Sequence, residues 1–553
     1  MDKFPPPVDN ADLRVLIIDN QSLVHDQIIH ALREVGITKV SCALNAYHAL
    51  RECDNQQFDF VLIAFNISHD KDGFHLFEEL KHHQHITDKT TVIFLSAETS
   101  HELVNCIVEL QPDDFWVKPL DRKRIESRLH YLISIRRKLH KLLHCLHQRD
   151  YAAAIYYAER HLNDLQMQEF HPRLKRTIGE CLMALREFDQ AEQHYLNVSE
   201  QCDHAWVHVG LAKSLFRQKK AEAGEALVED LLERDDTRFQ VLDLMAQFYL
   251  EQEAYDKAYE KIKQASSLAP RNIERNRRLW DLARLNRDRH GQLKAVQNMA
   301  RFAKNSIHDS PELTLNVIRS TLDLATSLSQ DEADQLIKRA DYDMTQLRSK
   351  KGVGRELSDQ LDVIRARILC ISNQKRDAEA IMQAKRPDLN GLSMEDNLDK
   401  MKAFHELGMK EHCLSLLDKI RQQIEGDTFS SHVVDEYLKQ EEIERRDISF
   451  TTKELKEMAA VNYKENRMMP AYNNLRQALQ LSPDNRQIAL SLLKVLTQLN
   501  KKDLLNEEQV ETMYRAARAL NGDALPASQV QKRDQYFTVL NIDQESLRVS
   551  ADM

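Results

Sequence analysis

The chain has 553 residues, more than one ordinary domain holds, with 77 Lys+Arg against 87 Asp+Glu and a formal net charge of −10. That acidic balance leaves no electrostatic footprint for nucleic acid, and no stretch approaches the roughly 20 continuous apolar residues that span a bilayer. Only 12 Gly and 12 Pro interrupt a sequence rich in Leu, Ala, Glu, Lys, Arg and Gln, which predicts a mostly helical protein. The cysteines (Cys42, Cys53, Cys106, Cys145, Cys181, Cys202, Cys370 and Cys413) include no CxxC pair. Free, largely buried thiols in a reducing compartment are expected, and the start "MDKFPPPVDNADLR" does not read as a secretory signal. A cytoplasmic location follows as the expectation.

After a tail at 1–11, strand and helix alternate. "RVLIID" (Arg14 to Asp19) is an apolar run ending in a carboxylate, as a strand buried on both faces should be. Ser22 is placed to cap a helix running to about Glu34, and Gly36 to stop it. "KVSCAL" (Lys39 to Leu44), "FVLIAF" (Phe60 to Phe65), "TVIFLSA" (Thr91 to Ala97) and "DFWVKP" (Asp114 to Pro119) are four further strand candidates, with helical stretches between them. Five such alternations imply one parallel sheet with helices on both faces, and function at the carboxyl ends of its strands. Those ends are Asp19-Asn20, Ala64-Phe65-Asn66, Ser96-Ala97 and Lys118-Pro119.

These corners resemble the receiver domain of bacterial response regulators, the CheY-like form of the flavodoxin-like α/β fold, over about residues 12–135. In that family an acidic pair after the first strand holds Mg²⁺, and an aspartate ending the third strand takes a phosphoryl group from a histidine kinase. A Ser/Thr and a Lys contact the phosphoryl oxygens, and an aromatic on the fifth strand swings with the hydroxyl. The resemblance places Asp19 and Asn20 at the acidic pair, Ala64 at the acceptor, Ser96 at the hydroxyl, Phe115 at the switch aromatic and Lys118 at the lysine. Pro119 matches the proline after the lysine, often cis in the family, and Ser68 stands where a proline is usual.

The departures decide the expected chemistry. An acyl phosphate needs a carboxylate and Ala64 has none. Mg²⁺ wants anionic oxygen ligands, and only Asp19 remains of the usual three. Mg²⁺ binding is therefore expected to be weak or absent, no cofactor is expected, and Lys118 is expected to pair with Asp19. Asp59 begins its strand, about 17 Å from the far end at ~3.3 Å per residue. Asp70 and Asp72 are expected to be solvated loop and helix-cap residues.

From residue 121 the pattern is helical only. "DRKRIESRLHYLISIRRKLHKLLHCLHQ" (Asp121 to Gln148) carries an apolar period without Gly or Pro, predicting one long connecting helix over 121–148, capped by Asp121. Residues 149–520 then repeat. "LDLMAQFYLEQEAYDKAYEKIKQASSLAP" and "LKEMAAVNYKENRMMPAYNNLRQALQLSP" align Ala246, Ala258, Ala265 and Pro270 with Ala459, Ala471, Ala478 and Pro483. Gly179 with Ala191, Gly210 with Ala223, Ala366 with Ala378, and Ala154 give further partial copies. Small residues let paired helices approach while large apolar ones fill the gaps. The pattern resembles the tetratricopeptide repeat (TPR), which implies an all-α superhelix gripping a helix or extended peptide. Between about 271 and 455 only isolated positions fit, and 521–553 loses periodicity, as a tail would, although "QYFTVLNI" could dock on the last helices.

Other constellations read more plainly. His82, His83 and His85, and His140, His144 and His147, lack further ligands nearby, so no metal site is expected. "RNIERNRRLWDLARLNRDR" (Arg271 to Arg289) is expected to be an internally paired helix surface. "KKGVG" is no phosphate loop, and no DNA-binding, cyclase, phosphodiesterase or kinase motif is present. "SKKGVGREL" and "RPDLNGLSMEDN" read as loops.

The whole layout resembles the auxiliary receiver–TPR regulators of two-component systems. The resemblance implies a non-enzymatic adaptor whose partners are proteins, a histidine kinase or a response regulator, with neither nucleic acid nor membrane insertion. A homodimer stays open. Two alternatives stand beside it: a phospho-switch using Asp70, Asp72 or Asp19, and a structural scaffold in motility or polar assembly.

Overall fold

Five short strands, β1 (Arg14–Ile18), β2 (Lys39–Ala43), β3 (Phe60–Ala64), β4 (Thr91–Ser96) and β5 (Asp114–Val117), form one parallel sheet in the order β2-β1-β3-β4-β5. The computed structural model describes residues 4, 6–67, 71–328, 330–350, 352–372, 374–383, 393–407, 409–423, 429–447, 452–483, 485–501, 505–520 and 526–542. Every residue of β3 and β4 is buried, as strands covered on both faces must be. The covering helices are α1 (Ser22–Glu34), α2 (Ala46–Asn55), α3 (Gly73–His82), α4 (His101–Leu110) and α5 (Arg122–Lys138). The order is that of the flavodoxin-like fold, whose switch point lies at β1 and β3.

Local chemistry explains the helix ends. Gly36 stops α1 at φ +84°, a conformation that costs glycine nothing. Asn45, Asp72 and Asp121 cap α2, α3 and α5 through side-chain acceptors for His48, His75 and Arg124 backbone N–H groups. Ser22 is not a cap: it is the first helical residue, and Gln21 precedes it with no side-chain bond.

The expected single helix over 121–148 is two. α5 ends at Leu139 (φ −100°, ψ 19°), and α6 (His140–His147) starts there. The physical reason is that α6 buries Leu142 and Cys145 and pairs with α7 (Tyr151–Leu162), while α5 packs on α1.

Beyond α7 the chain continues as α8 (His171–Ala184), α9 (Phe188–Ser199), α10 (Ala205–Arg217), α11 (Ala221–Leu232), α12 (Arg238–Glu251) and α13 (Tyr255–Leu268). Next come α14 (Ile273–Leu285), α15 (Arg289–Ala303), α16 (Pro311–Ala325), α17 (Gln330–Ser349), α18 (Val353–Glu356) and α19 (Ser358–Ile371). The remainder are α20 (Lys375–Gln383), α21 (Met394–Glu406), α22 (Lys410–Gln423), α23 (Phe429–Asp447), α24 (Thr452–Lys464), α25 (Met468–Leu481), α26 (Arg486–Asn500), α27 (Glu507–Arg518) and α28 (Ala527–Leu540). This is a TPR-like run of paired helices. Its turns carry a left-handed residue at Arg149, Arg186, Lys219, Glu253 and Arg287, φ 55° to 61°, at intervals of about 34 residues, the tetratricopeptide period. Asn466 repeats the device between α24 and α25. Arg287 marks a hairpin, α14–α15, that small-residue spacing did not reveal. α28 bears out the docking of "QYFTVLNI" on the last helices, burying Phe537 and Leu540 in a core with α24 to α27, while 521–525 and 543–553 lie outside the described residues.

The chain divides into two compact units. One joins Met1–Glu253, Glu260–Ile273 and Phe302–Asp309; the other joins Ala254–Tyr259, Glu274–Arg301 and Ser310–Met553. Within the first, one continuous core runs from Leu13 through the sheet and the first hairpins to Ala269. The sheet domain and the early repeats therefore fall within one compact unit.

Candidate functional site

The loops at the carboxyl ends of β1, β3, β4 and β5 bring the matched positions together. Asp19 is fully buried and Lys118 donates to its Oδ2 at 2.5 Å; Asp19 Oδ1 accepts from Gln21 N–H at 3.0 Å. Lys118 follows β5, and its N–H donates to the Ser96 carbonyl at 2.8 Å; the Lys118–Pro119 peptide is cis. The Ser96 hydroxyl is buried and turned back on its own loop, donating to the Glu98 carbonyl at 2.9 Å and accepting from Glu98 N–H at 3.0 Å. Ala64 is 1 % exposed, with a methyl group as its whole side chain. A Cβ at Gly73 would lie 2.2 Å from the Ala64 carbonyl oxygen, so α3 starts directly on this residue. Asn20 is exposed and Phe115 is half-buried against the core.

The result is a pocket that holds one ion pair. Mg²⁺ needs several oxygen ligands, preferably anionic, in near-octahedral array. Here one carboxylate is already engaged by an ammonium, Asn20 is neutral and Ala64 is apolar. The donor set does not fit the ion.

Aspartates elsewhere do not replace the acceptor. Asp59 sits at the opposite edge, where its Oδ1 pairs with Arg136 at 2.9 Å and holds α5 to the sheet. Asp70 and Ser68 lie outside the described residues. Asp72 caps α3 but is not solvated: its Oδ1 is 2.9 Å from His75 Nδ1, and Arg271 donates to its Oδ2 at 2.5 Å. Burial alone would raise the Asp72 carboxyl, but the hydrogen bond and charge of His75, with the charge of Arg271, hold it below the usual carboxylate range. The same pairing lifts His75 above its ordinary value against its own burial.

Arg271 also lies over the rings of Phe65 and Phe302, 4.9 and 5.3 Å from their centroids. His75 Nε2 meets the Phe302 carbonyl at 2.6 Å, and Asn272 donates to Glu109 on α4. The α3–α4 face beside Ala64 is thus covered by the chain's own repeat segment. Burial, with Asp72 and Glu109 close by, pushes Glu78 on this face up to about 7, His75 opposing. Sequence reasoning missed this joint because Arg271 is 199 residues from Asp72.

Of the small residues, Gly179 and Gly210 flank one ring. A Cβ on either would come within 2.5 Å or 2.4 Å of Tyr195 on α9. Ala191, Ala246, Ala258, Ala459 and Ala471 are all buried in helix contacts.

The expectation of an internally paired basic surface over Arg271–Arg289 holds only in part, since Arg284 also meets Asp281 at 3.7 Å but is buried. Arg278 does meet Glu274 on its own helix, at 3.7 Å, but Arg275, Asn276 and Arg284 are buried. Arg284 binds Glu395 and stacks 3.6 Å from the Trp280 ring centroid. It belongs to a buried ionic network in the second unit, where α16, α19 and α21 pack side by side. Arg367 donates to Asp399 at 2.6 Å and Asp323 at 2.9 Å, and Lys402 reaches Asp323 at 2.5 Å. Arg319 donates to Glu312 at 2.6 Å and also binds Asp396. A signal was present: Arg319 and Asp323 stand one residue from Ile318 and Leu322, inside the apolar stripe of α16.

The histidine runs also disperse. His85 is 3.3 Å from Asp54, while His82 and His83 pack edge to face. His140 Nδ1 meets the Arg137 carbonyl, His147 Nε2 the Asp88 carbonyl, and His144 the ring of Phe4.

Comparison with known proteins agrees with the sheet domain. Residues 15–130 match the family model of the response regulator receiver domain. No curated protein matches the chain. Among solved structures, a "BeF3 Activated DrrB Receiver Domain" is 20 % identical, with 22 % of this chain and 97 % of that chain covered and a TM-score of 0.20. A "Crystal structure of APC/C hetero-tetramer Cut9-Hcn1" is 12 % identical, with 76 % of this chain and 97 % of that one covered and a TM-score of 0.28. The sheet domain thus matches the receiver model, and the helices that follow keep the TPR-like period of their turns. No helix among the described residues is long and apolar enough to cross a membrane.

Proposed function

We propose that this protein is a non-catalytic auxiliary regulator of bacterial two-component signalling. Its receiver docks a histidine kinase or a response regulator without accepting the phosphoryl group, and its repeats bind protein partners. Docking uses outer helices and loops, so it survives loss of the chemistry, and a module that binds without accepting phosphate slows or redirects transfer to the proper regulator. The arrangement resembles the VieB-type receiver–TPR regulators, and a cytoplasmic location fits it. The observation that carries the reading is the methyl group of Ala64 at the acceptor position, with Lys118 paired to Asp19. Against a phospho-switch through Asp72 stands its engagement by both His75 and Arg271.

The test is phosphotransfer. The full chain is mixed with a phosphorylated histidine kinase, and separately with acetyl phosphate and Mg²⁺, then measured by intact-mass spectrometry. No hydroxylamine-labile gain of about 80 Da, the mass of one phosphoryl group, is expected on the chain. Such a gain mapped to residues 12–135 would overturn the reading.

A further inference from the structure

The densest run of cationic groups lies at the end of the receiver remote from Ala64. "RRKLHKLLHCLH" (Arg136–His147) packs Arg136, Arg137, Lys138, His140, Lys141, His144 and His147 into twelve residues of an otherwise acidic chain. Leu139, Leu142 and Cys145 take the buried face, so the basic groups must point elsewhere. The break at Leu139 then distributes them between two cavities that share His140.

The first cavity, about 230 Å³, lies where the base of the sheet meets α5, α6 and α8. Its walls carry Lys89, Arg136, Arg137 and Arg173 against Asp88 and Asp113, and Pro6 to Val8 close one side. Phe4, beside that segment, packs on His144 and under the ammonium of Lys141, which is 5.6 Å from the ring centroid. Arg136 is spoken for by Asp59, and Arg173 lies 3.6 Å from Asp113. Lys89 and Arg137 have no carboxylate partner among the described residues. The second cavity, about 680 Å³, adds Lys138, Lys141, Arg160 and His161 against Asp164. Arg160 likewise lacks a partner among the described residues.

We propose that these adjoining cavities form a binding site for a small phosphorylated molecule carrying at least two negative charges. Its phosphoryl oxygens are taken by Lys89 and Arg137, and its remaining charge extends past His140 toward Arg160. Multiple guanidinium and ammonium donors around one open cleft match a phosphoryl group, whose several oxygens accept from them all; a lone carboxylate would leave most unsatisfied. The concave walls favour a small molecule over a peptide strand or helix. Because the walls come from both α5 and α6, the ligand would bridge the last receiver helix and the first repeat helix.

Isothermal titration of the full chain with inorganic pyrophosphate at constant ionic strength tests this. Saturable binding near one equivalent is expected. The K89A/R137A variant, altered at two exposed side chains, should bind about tenfold or more weakly, a difference of ~1.4 kcal/mol. K123A, at an exposed lysine on α5 outside both cavities, should bind as the parent does. Absence of saturable binding at about 10 mM, well above the affinity of a built site, would overturn the proposal. So would equal binding by K89A/R137A with unchanged circular dichroism, or tighter binding of a short polyglutamate peptide than of pyrophosphate.

Discussion

Two regions of this molecule bury charge, and they do so on different terms. At the carboxyl edge of the sheet the buried charge is Asp19 with Lys118, one carboxylate for one ammonium, beside an apolar Ala64. In the second unit Arg367, 1 % exposed, is shared among Asp399, Asp323 and Glu406, and Asp323 in turn takes Lys402 and lies 3.8 Å from Arg289. A charge in a protein interior persists only when countercharges and hydrogen bonds replace water. The pocket meets that rule with few charges, a single pair. The helical interior meets it by accumulating them until each is shared.

The largest test of this contrast is R367A. It leaves Asp399, Asp323 and Glu406 without their common partner, and denaturant unfolding should show a loss of roughly 3–5 kcal/mol. K118M removes one ion from a pair whose buried aspartate keeps the Gln21 N–H and whose lysine is partly exposed. A smaller loss of about 1–3 kcal/mol is expected. Equal losses would break the comparison.

A gentler test is pH. Burial and the nearby Glu395 raise Asp281 from 3.8 to about 7, Arg284 opposing, so the folded chain holds a proton there that the unfolded chain releases. This group's contribution to stability therefore falls as pH rises from about 4 to about 7, and D281N should flatten that part of the profile. Asp323 behaves oppositely. Lys402, Arg367 and Arg289 outweigh its burial and depress it below its ordinary value, so its stabilisation is present above pH 4 and lost on acidification. An unchanged slope in D281N would show that the proton is held elsewhere in the network.

Much of the fold was legible in the sequence. Every strand formed within two residues of its predicted run, and β3 and β4, buried on both faces, are apolar almost throughout. The pairing of Lys118 with Asp19 also followed from composition at the strand ends: removing carboxylates from around a lysine leaves it the one that remains. The break at Leu139 was not legible, since its apolar period is continuous and only the partners on either side differ. Nor was the interior role of Arg284, Arg319 and Arg367, which a one-dimensional reading assigns to solvent because their counterions sit on other helices.

Local order along the chain determined the α/β alternation, the helical repeats and the residues standing at each receiver position, because hydrophobic period, turn residues and small-residue spacing act between near neighbours. Tertiary structure alone decided that Arg271 closes over Asp72 and Phe65, that receiver and first repeats share one core, and that charges gather inside the second unit. Those outcomes depend on groups brought together from distant segments, and the energy of a buried charge depends on what surrounds it in space.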